Sequence, residues 1–261
     1  MRILVLVGSY RQRGNTAQIA DLIIEHLHCL AAHDGEPLEV ETINLAHREI
    51  HFCRGCRVCF DKGEDRCPLR DDLLEIKARM QAADGLLLAA PVYVNDVNGA
   101  VKNWIDRLAH VCHRPEFPGR CAYLVATVGD SPTRHALRTM SVALSTWGYH
   151  IVGQAGFKMG ALMDQQETVA RFEERTEQIA ESLYRAVRER AYVRPSFVSL
   201  MTFKIQQLGW RKAPAGSLDY AHWSGKGWIE PEREFYLPHR ANLLKVAVAR
   251  AAGALIARFV T

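Results

Sequence analysis

The chain lacks the two glycine signatures that usually announce a nucleotide. No Gly-x-Gly-x-x-Gly spacing follows its first apolar run, and no Gly-Lys-Ser/Thr ending closes the loop after it. The usual dinucleotide fingerprint and the Walker loop are therefore both absent. No uncharged apolar run approaches the roughly 18–20 residues of a membrane span. There are no internal repeats and no low-complexity tracts. The opening residues read as a core strand and not as a charged stretch followed by an apolar one, so no secretory leader is read and the expected compartment is cytoplasmic. There, seven cysteines mean thiols, metal or catalysis in place of structural disulfides. A net charge of only +4 and the lack of a recognition motif argue against a nucleic-acid partner.

What is present is the composition of a soluble globular protein, 48% hydrophobic and 24% charged. The charge is unevenly placed. Residues 191–261 carry ten Lys/Arg against four Asp/Glu. The basic excess belongs to that tail, which sets it apart from the body. The expected division is a body over 1–190 and an extension over 191–261.

The first sixteen residues say most. Met1 to Val7 is a nearly unbroken apolar run, as in a strand buried on both faces of a parallel sheet. A polar loop follows, from Gly8 to Thr16, and then a helix pattern with an apolar stripe through Ile19, Ile23 and Leu27. Strand, polar loop and helix N-terminus together form a geometry that holds a phosphate, because free N–H groups and the helix dipole point at the anion. Ser9, Asn15 and Thr16 add donors, and Arg11 and Arg13 add charge. A monophosphate fits this loop better than a dinucleotide does, and flavin mononucleotide (FMN) is the leading candidate. The same pattern also occurs as an ordinary strand-to-helix turn.

The body then alternates strand and helix. Strands are expected at 38–43, 85–90, 121–127 and 149–154, with helices at 71–82, 99–110, 133–147 and 165–188. That alternation implies an α/β doubly wound parallel sheet of five strands, in the flavodoxin-like order 2-1-3-4-5. Its ligand site lies at the carboxyl ends of strands one, three and four. Two loops there could supply the apolar wall and backbone donors that a flat ring requires. They are Pro91-Val92-Tyr93-Val94 and Thr127-Val128-Gly129. Lys102 and Asp106 read equally well as a surface i,i+4 pair.

Three motifs in this order resemble the NADPH-dependent FMN reductase family. They are Gly8-Ser9-x-Arg11-x-x-Gly14-Asn15-Thr16, Pro91-Val92-Tyr93, and Gly99-x-x-Lys102-x-x-x-Asp106-Arg107. The resemblance covers about residues 1–190. It implies bound FMN, with the phosphate on Ser9, Arg11, Gly14, Asn15 and Thr16 and the ring on Pro91 to Val94 and Thr127 to Gly129. It also implies NAD(P)H as electron donor. No side chain is assigned as catalytic, because the flavin does the hydride chemistry.

A third signal is Cys53-x2-Cys56-x2-Cys59-x7-Cys67, just after strand two. Three cysteines at successive x2 steps and a fourth beyond can hold a 4Fe-4S cluster. In this the chain resembles the iron–sulfur flavoprotein branch of the same family. Three alternatives stay open: tetrahedral zinc, a redox-active thiol pair favoured by Arg54, Arg57 and Arg66, or cysteines that merely pack. Cys29, Cys112 and Cys121 lie in helix or strand patterns and read as buried packing residues.

The tail shows an amphipathic pattern from Phe197 to Leu208, three of the five tryptophans, and an alanine-rich helix near 240–260. It reads as an ordered helical extension, either a cap or dimer arm or a basic element in peripheral contact with a membrane. The expected activity is an FMN-dependent NAD(P)H oxidoreductase acting on a quinone, flavin or nitroaromatic, and a homo-oligomer is expected. Two other readings are an iron–sulfur electron carrier serving a redox protein, and a flavin-binding interaction module.

Overall fold

A computed structural model describes residues 1–160 and 163–260. Strand β1 (Arg2–Val7) is buried at every position after Arg2. Ile3, Val5 and Val7 face one side of the sheet, while Leu4 and Leu6 face the other. An unbroken apolar strand is stable in water only when both of its faces are covered.

Four strands join it in parallel: β2 (Glu39–Asn44), β3 (Gly85–Tyr93), β5 (Cys121–Val128) and β6 (His150–Lys158). The order is β2-β1-β3-β5-β6. Counting only the parallel strands, this is the 2-1-3-4-5 arrangement. A sixth, two-residue strand, β4 (Asp96–Val97), folds back antiparallel onto the end of β3. The sequence pattern gave no sign of it. Strands β3 and β6 also run further than expected, because Pro91 still pairs with Thr127 and Lys158 with Val128. The alternating strand β2 lies at an edge, as its glutamates require.

One face of the sheet is covered by α1 (Asn15–Asp34) and α6 (Gln165–Arg188). The other is covered by α3 (Leu73–Ala82), α4 (Gly99–Arg107) and α5 (Arg134–Thr146). On α1, Ile19, Ile23 and Leu27 recur at four-residue steps and are fully buried, so the stripe seen in the sequence is the face turned to the sheet. A short helix, α2 (Val58–Asp61), sits inside the cysteine segment.

The tail is helical. It contains α7 (Phe197–Arg211), α8 (Leu218–Gly225) and α9 (Leu243–Val260). Phe203, Trp223, Trp228 and Tyr236 form a small core of their own. The Trp223 indole donates to His113 O at 2.8 Å, which pins this core to the body. Helix α9 runs beside α7 in the same direction. Lys245 near its start reaches Pro195 O at 2.9 Å, and Gly253 lies against Met201 and Lys204.

Candidate functional site

The first site lies where β1, β3 and β5 end. Gly8 follows β1 and is pressed against α4. A Cβ there would stand 2.2 Å from Val101 Cγ2, so only glycine lets the chain turn at this point. The Asn98 amide donates to Gly8 O while its oxygen caps Val101 N at 3.2 Å. Asn44 donates to Ser9 O at 2.8 Å. Within the loop, Ser9 Oγ accepts from Arg11 N and donates to Arg11 O, both at 3.1 Å. The loop is therefore held from both sides before any ligand arrives.

Helix α1 begins at Asn15 behind Gly14. No side chain caps its N-terminus, and its first turn holds no acid. The opening N–H groups of a helix have no partners within it. Here the start of the helix borders a shallow pocket of about 220 Å3. Ser9, Arg11, Gly14, Asn15 and Thr16 line it from the loop, Pro91, Val92 and Tyr93 from β3, and Thr127, Val128 and Gly129 from β5. The Thr16 and Thr127 hydroxyls share a buried hydrogen bond of 2.6 Å that joins two of these walls. The lining contains one cation and no carboxylate, so the chemistry of the donor set fits a phosphate.

One expected residue stands apart. Val94 is 99% exposed and does not line the pocket. It occupies the two-residue turn between β3 and β4, where Val94 (φ 48°) and Asn95 (φ 67°) are both left-handed. A tight hairpin requires that geometry, and it turns the Val94 side chain outward. One lining residue was missed. Gly160, at φ +67°, donates to Gly129 O at 3.1 Å and closes the rim. Nothing local in the sequence marks it as part of this wall.

The second site is a cavity of about 330 Å3 beside the first turns of α3 and the end of α4. Cys53, Cys56, Cys59 and Cys67 all line it, with Phe60, Leu73, Arg107 and His110. The stem of the loop is tied to α4, since Asn103 donates to Ile50 O at 2.9 Å and Arg107 to His51 O at 2.7 Å. Arg107 also forms a buried pair with Asp71 at 2.5 Å and reaches Cys67 Sγ at 4.0 Å. Burial would raise the Asp71 carboxyl, but the Arg107 hydrogen bonds win and hold it below its ordinary value.

Two of the three arginines expected beside the cysteines have acidic partners of their own, while Arg54 lines the cavity. Arg57 pairs with Asp61 and Arg66 with Asp65, each at 3.2 Å. Burial, with Cys67 and Cys53 nearby, pushes the Cys59 thiol up. A raised thiol is a poor free nucleophile. A bound metal would deprotonate it, but among the described residues no three of the four cysteine sulfurs gather within 4.8 Å of one another. Cys121 is buried and Cys112 half-buried, but Cys29 is exposed on the outer side of α1, contrary to the packing role expected of it.

Behind the cavity lies a buried charge network. Lys77 Nζ donates to Glu64 and Glu116, each at 2.7 Å. Its attraction outweighs burial and holds Glu64 well below the ordinary carboxylate range. Burial, then Lys77, keeps His110 neutral to low pH. Glu64, His110 and Glu116 bring three donor atoms within 4.8 Å, but the Lys77 ammonium already bridges the two acids. Next to them, Arg114 donates to Cys59 O and to Asp219, both at 2.5 Å. Asp219 belongs to α8, so the extension braces the cysteine loop. The sequence assigned no role to Lys77, Glu64, Arg114 or Asp219, whose partners lie up to 106 residues away.

Residues 1–162 match the family of NADPH-dependent FMN reductases. The chain belongs to that family. Membership places it among FMN-dependent NAD(P)H oxidoreductases, and the extension falls outside the matched stretch. The chain is similar to an iron–sulfur flavoprotein of Archaeoglobus fulgidus, 31% identical over 156 residues, covering 59% of this chain and 67% of that one. It is 39% identical over 107 residues to an iron–sulfur flavoprotein of Methanocaldococcus jannaschii, covering 41% and 51%. The alignments thus span about half to two thirds of these curated relatives. Among solved structures, an oxidoreductase from Corynebacterium diphtheriae shares the fold at a TM-score of 0.52 and 24% identity, covering 72% of this chain and 98% of that one.

Proposed function

We propose that this protein holds FMN in the pocket between Ser9, Pro91 and Thr127, takes reducing equivalents from NAD(P)H and passes them to a small acceptor such as a quinone, free flavin or nitroaromatic. One observation carries the reading. Three segments far apart in the chain, 9–16, 91–93 and 127–129, share one pocket at the carboxyl edge of the sheet. When bound, FMN supplies the hydride chemistry. The chain's part is to bind and orient. The uncapped start of α1 and Arg11 receive the phosphate. Pro91, Val92 and Val128 offer the apolar wall. Tyr93 is half exposed and forms an edge open to donor and acceptor.

The test is an anaerobic rapid-mixing experiment on the purified protein. Its visible flavin absorbance should bleach within seconds of adding NADH or NADPH. Replacing Asn15 and Thr16 together by Ala should weaken FMN binding at least about tenfold, since a hydrogen bond to a charged group is worth about 1.5–3 kcal/mol. Unchanged affinity in the double variant would put the cofactor elsewhere.

A second reading is favoured by the cysteine cavity. If Cys53, Cys56, Cys59 and Cys67 hold a 4Fe-4S cluster, the protein exchanges single electrons with a redox protein in place of fast turnover of a small acceptor. Iron and sulfide analysis of anaerobically prepared protein separates the two. About four irons per chain supports the carrier, and less than about one iron with no zinc removes it.

A further inference from the structure

We propose that α9 is a surface anchor that lays this protein on an anionic lipid membrane. Apart from Val246, which packs on Leu200, the helix turns small residues inward and large ones outward. Ala249, Gly253 and Ala257 are buried, and a Cβ on Gly253 would stand 2.7 Å from Met201 O. The outer side carries Leu244, Val248, Leu255 and Phe259, all exposed, with Phe259 at 82%. These four lie along one stripe of the helix. A soluble helix normally turns its large apolar side chains to the core, and a continuous exposed stripe marks a surface that something covers.

The charges select the occupant. Residues 235–261 hold four Lys/Arg and no Asp/Glu, and α7 beside them holds no acid either. Stacking α9 against a second copy of itself would set Arg240 and Arg258 against their counterparts, and α9 itself carries no acid to offset them. An anionic membrane offers an apolar layer and the opposite charge together. Arg240 and Arg258 are exposed at the two ends of the helix. Lys245 and Arg250 have a different task, donating to Pro195 O, Arg233 O and Pro231 O to fasten α9 to the extension. No described helix is long and apolar enough to cross a membrane, so α9 lies along the interface. The proposal does not depend on the flavin reading.

The experiment is vesicle flotation with the full chain, using phosphatidylcholine alone and phosphatidylcholine with about a third phosphatidylglycerol. The protein should float with the anionic vesicles at least about tenfold more strongly than with the neutral ones, and added salt should weaken the binding. The double variant Leu255→Asp, Phe259→Asp should lose flotation while its sedimentation coefficient and flavin content stay unchanged. A second variant, Arg240→Glu with Arg258→Glu, leaves the apolar stripe intact and should cut binding to anionic vesicles alone. The proposal is overturned if the wild type ignores anionic vesicles or if the Asp variant floats as well as the wild type. It is also overturned if sedimentation shows self-association through α9 that the Asp variant breaks.

Discussion

Around Ser9 the walls are the ends of strands, whereas around Cys59 they are a loop held by ion pairs. The first pocket is placed by sheet register. Pro91 sits opposite Thr127 because β3 and β5 pair there, and the loop after β1 is fixed by Gly8 N donating to Ala89 O and by the Asn98 side chain donating to Gly8 O. The second is placed by side chains that cross large stretches of sequence, chiefly Arg107 to Asp71 and Arg114 to Asp219. A pocket placed by strand register keeps its position when a single side chain is changed, whereas one placed by buried charges does not, because each charge needs its partner.

The sharpest way to break this comparison is Arg114→Ala. It takes the guanidinium from Asp219, which keeps only its 2.9 Å contact with the His113 ring, and strips a donor from Cys59 O. Loss of one member of a buried pair costs about 3–5 kcal/mol, readable by denaturant unfolding. Cys59 should also react faster with a thiol reagent. FMN affinity should change less than threefold, and a large loss of FMN would show that the two sites are not independent. Next in size is Thr16→Val, which removes the hydroxyl pair with Thr127. It should cost about 1 kcal/mol of stability and weaken FMN, while thiol reactivity stays unchanged.

A pH experiment on one variant isolates the share of the extension from that of His110 in the body. Burial, then Lys226, pulls the His222 imidazole down to about 4 from its ordinary 6.5. The unfolded chain therefore takes up a proton between those values that the folded extension refuses. The contribution is full above pH 6.5 and is lost as pH falls from 6.5 to about 4. His222→Gln should flatten the fall of the urea midpoint across that window. The smallest effect belongs to Val94→Asn. A β-branched residue at φ 48° is strained, and Asn tolerates that region. Thermal melting should show a gain of about 0.5–1 kcal/mol, with FMN binding unaltered.

The same contrast explains what the sequence made legible. The strand, loop and helix of residues 2–34 are contiguous, so local pattern alone reveals them. Pro91 and Thr127 stand at strand ends, where a parallel α/β sheet must place its ligand. The four cysteines are close in sequence and end in one cavity. The supports of that cavity are different. Lys77 looks like any helix lysine, and Asp219 like any capped-helix acid. Arg107 adjoins the surface pair Lys102–Asp106 yet points inward to Asp71. Partners 36 and 105 residues apart leave no periodicity to read. Gly160 was missed for the same reason, and Val94 was misplaced because a left-handed turn reversed its direction.

The Arg114 clamp also sets an order of events during synthesis. Cys59 leaves the ribosome first, Arg114 follows 55 residues later, and Asp219 a further 105 residues after that. At roughly 5–20 residues per second the last gap is about 5–20 seconds. Through that interval the nascent chain carries its four thiols on a loop that the extension has not yet braced. Any metal loading or oxidation of those thiols then meets a looser site than the finished protein presents.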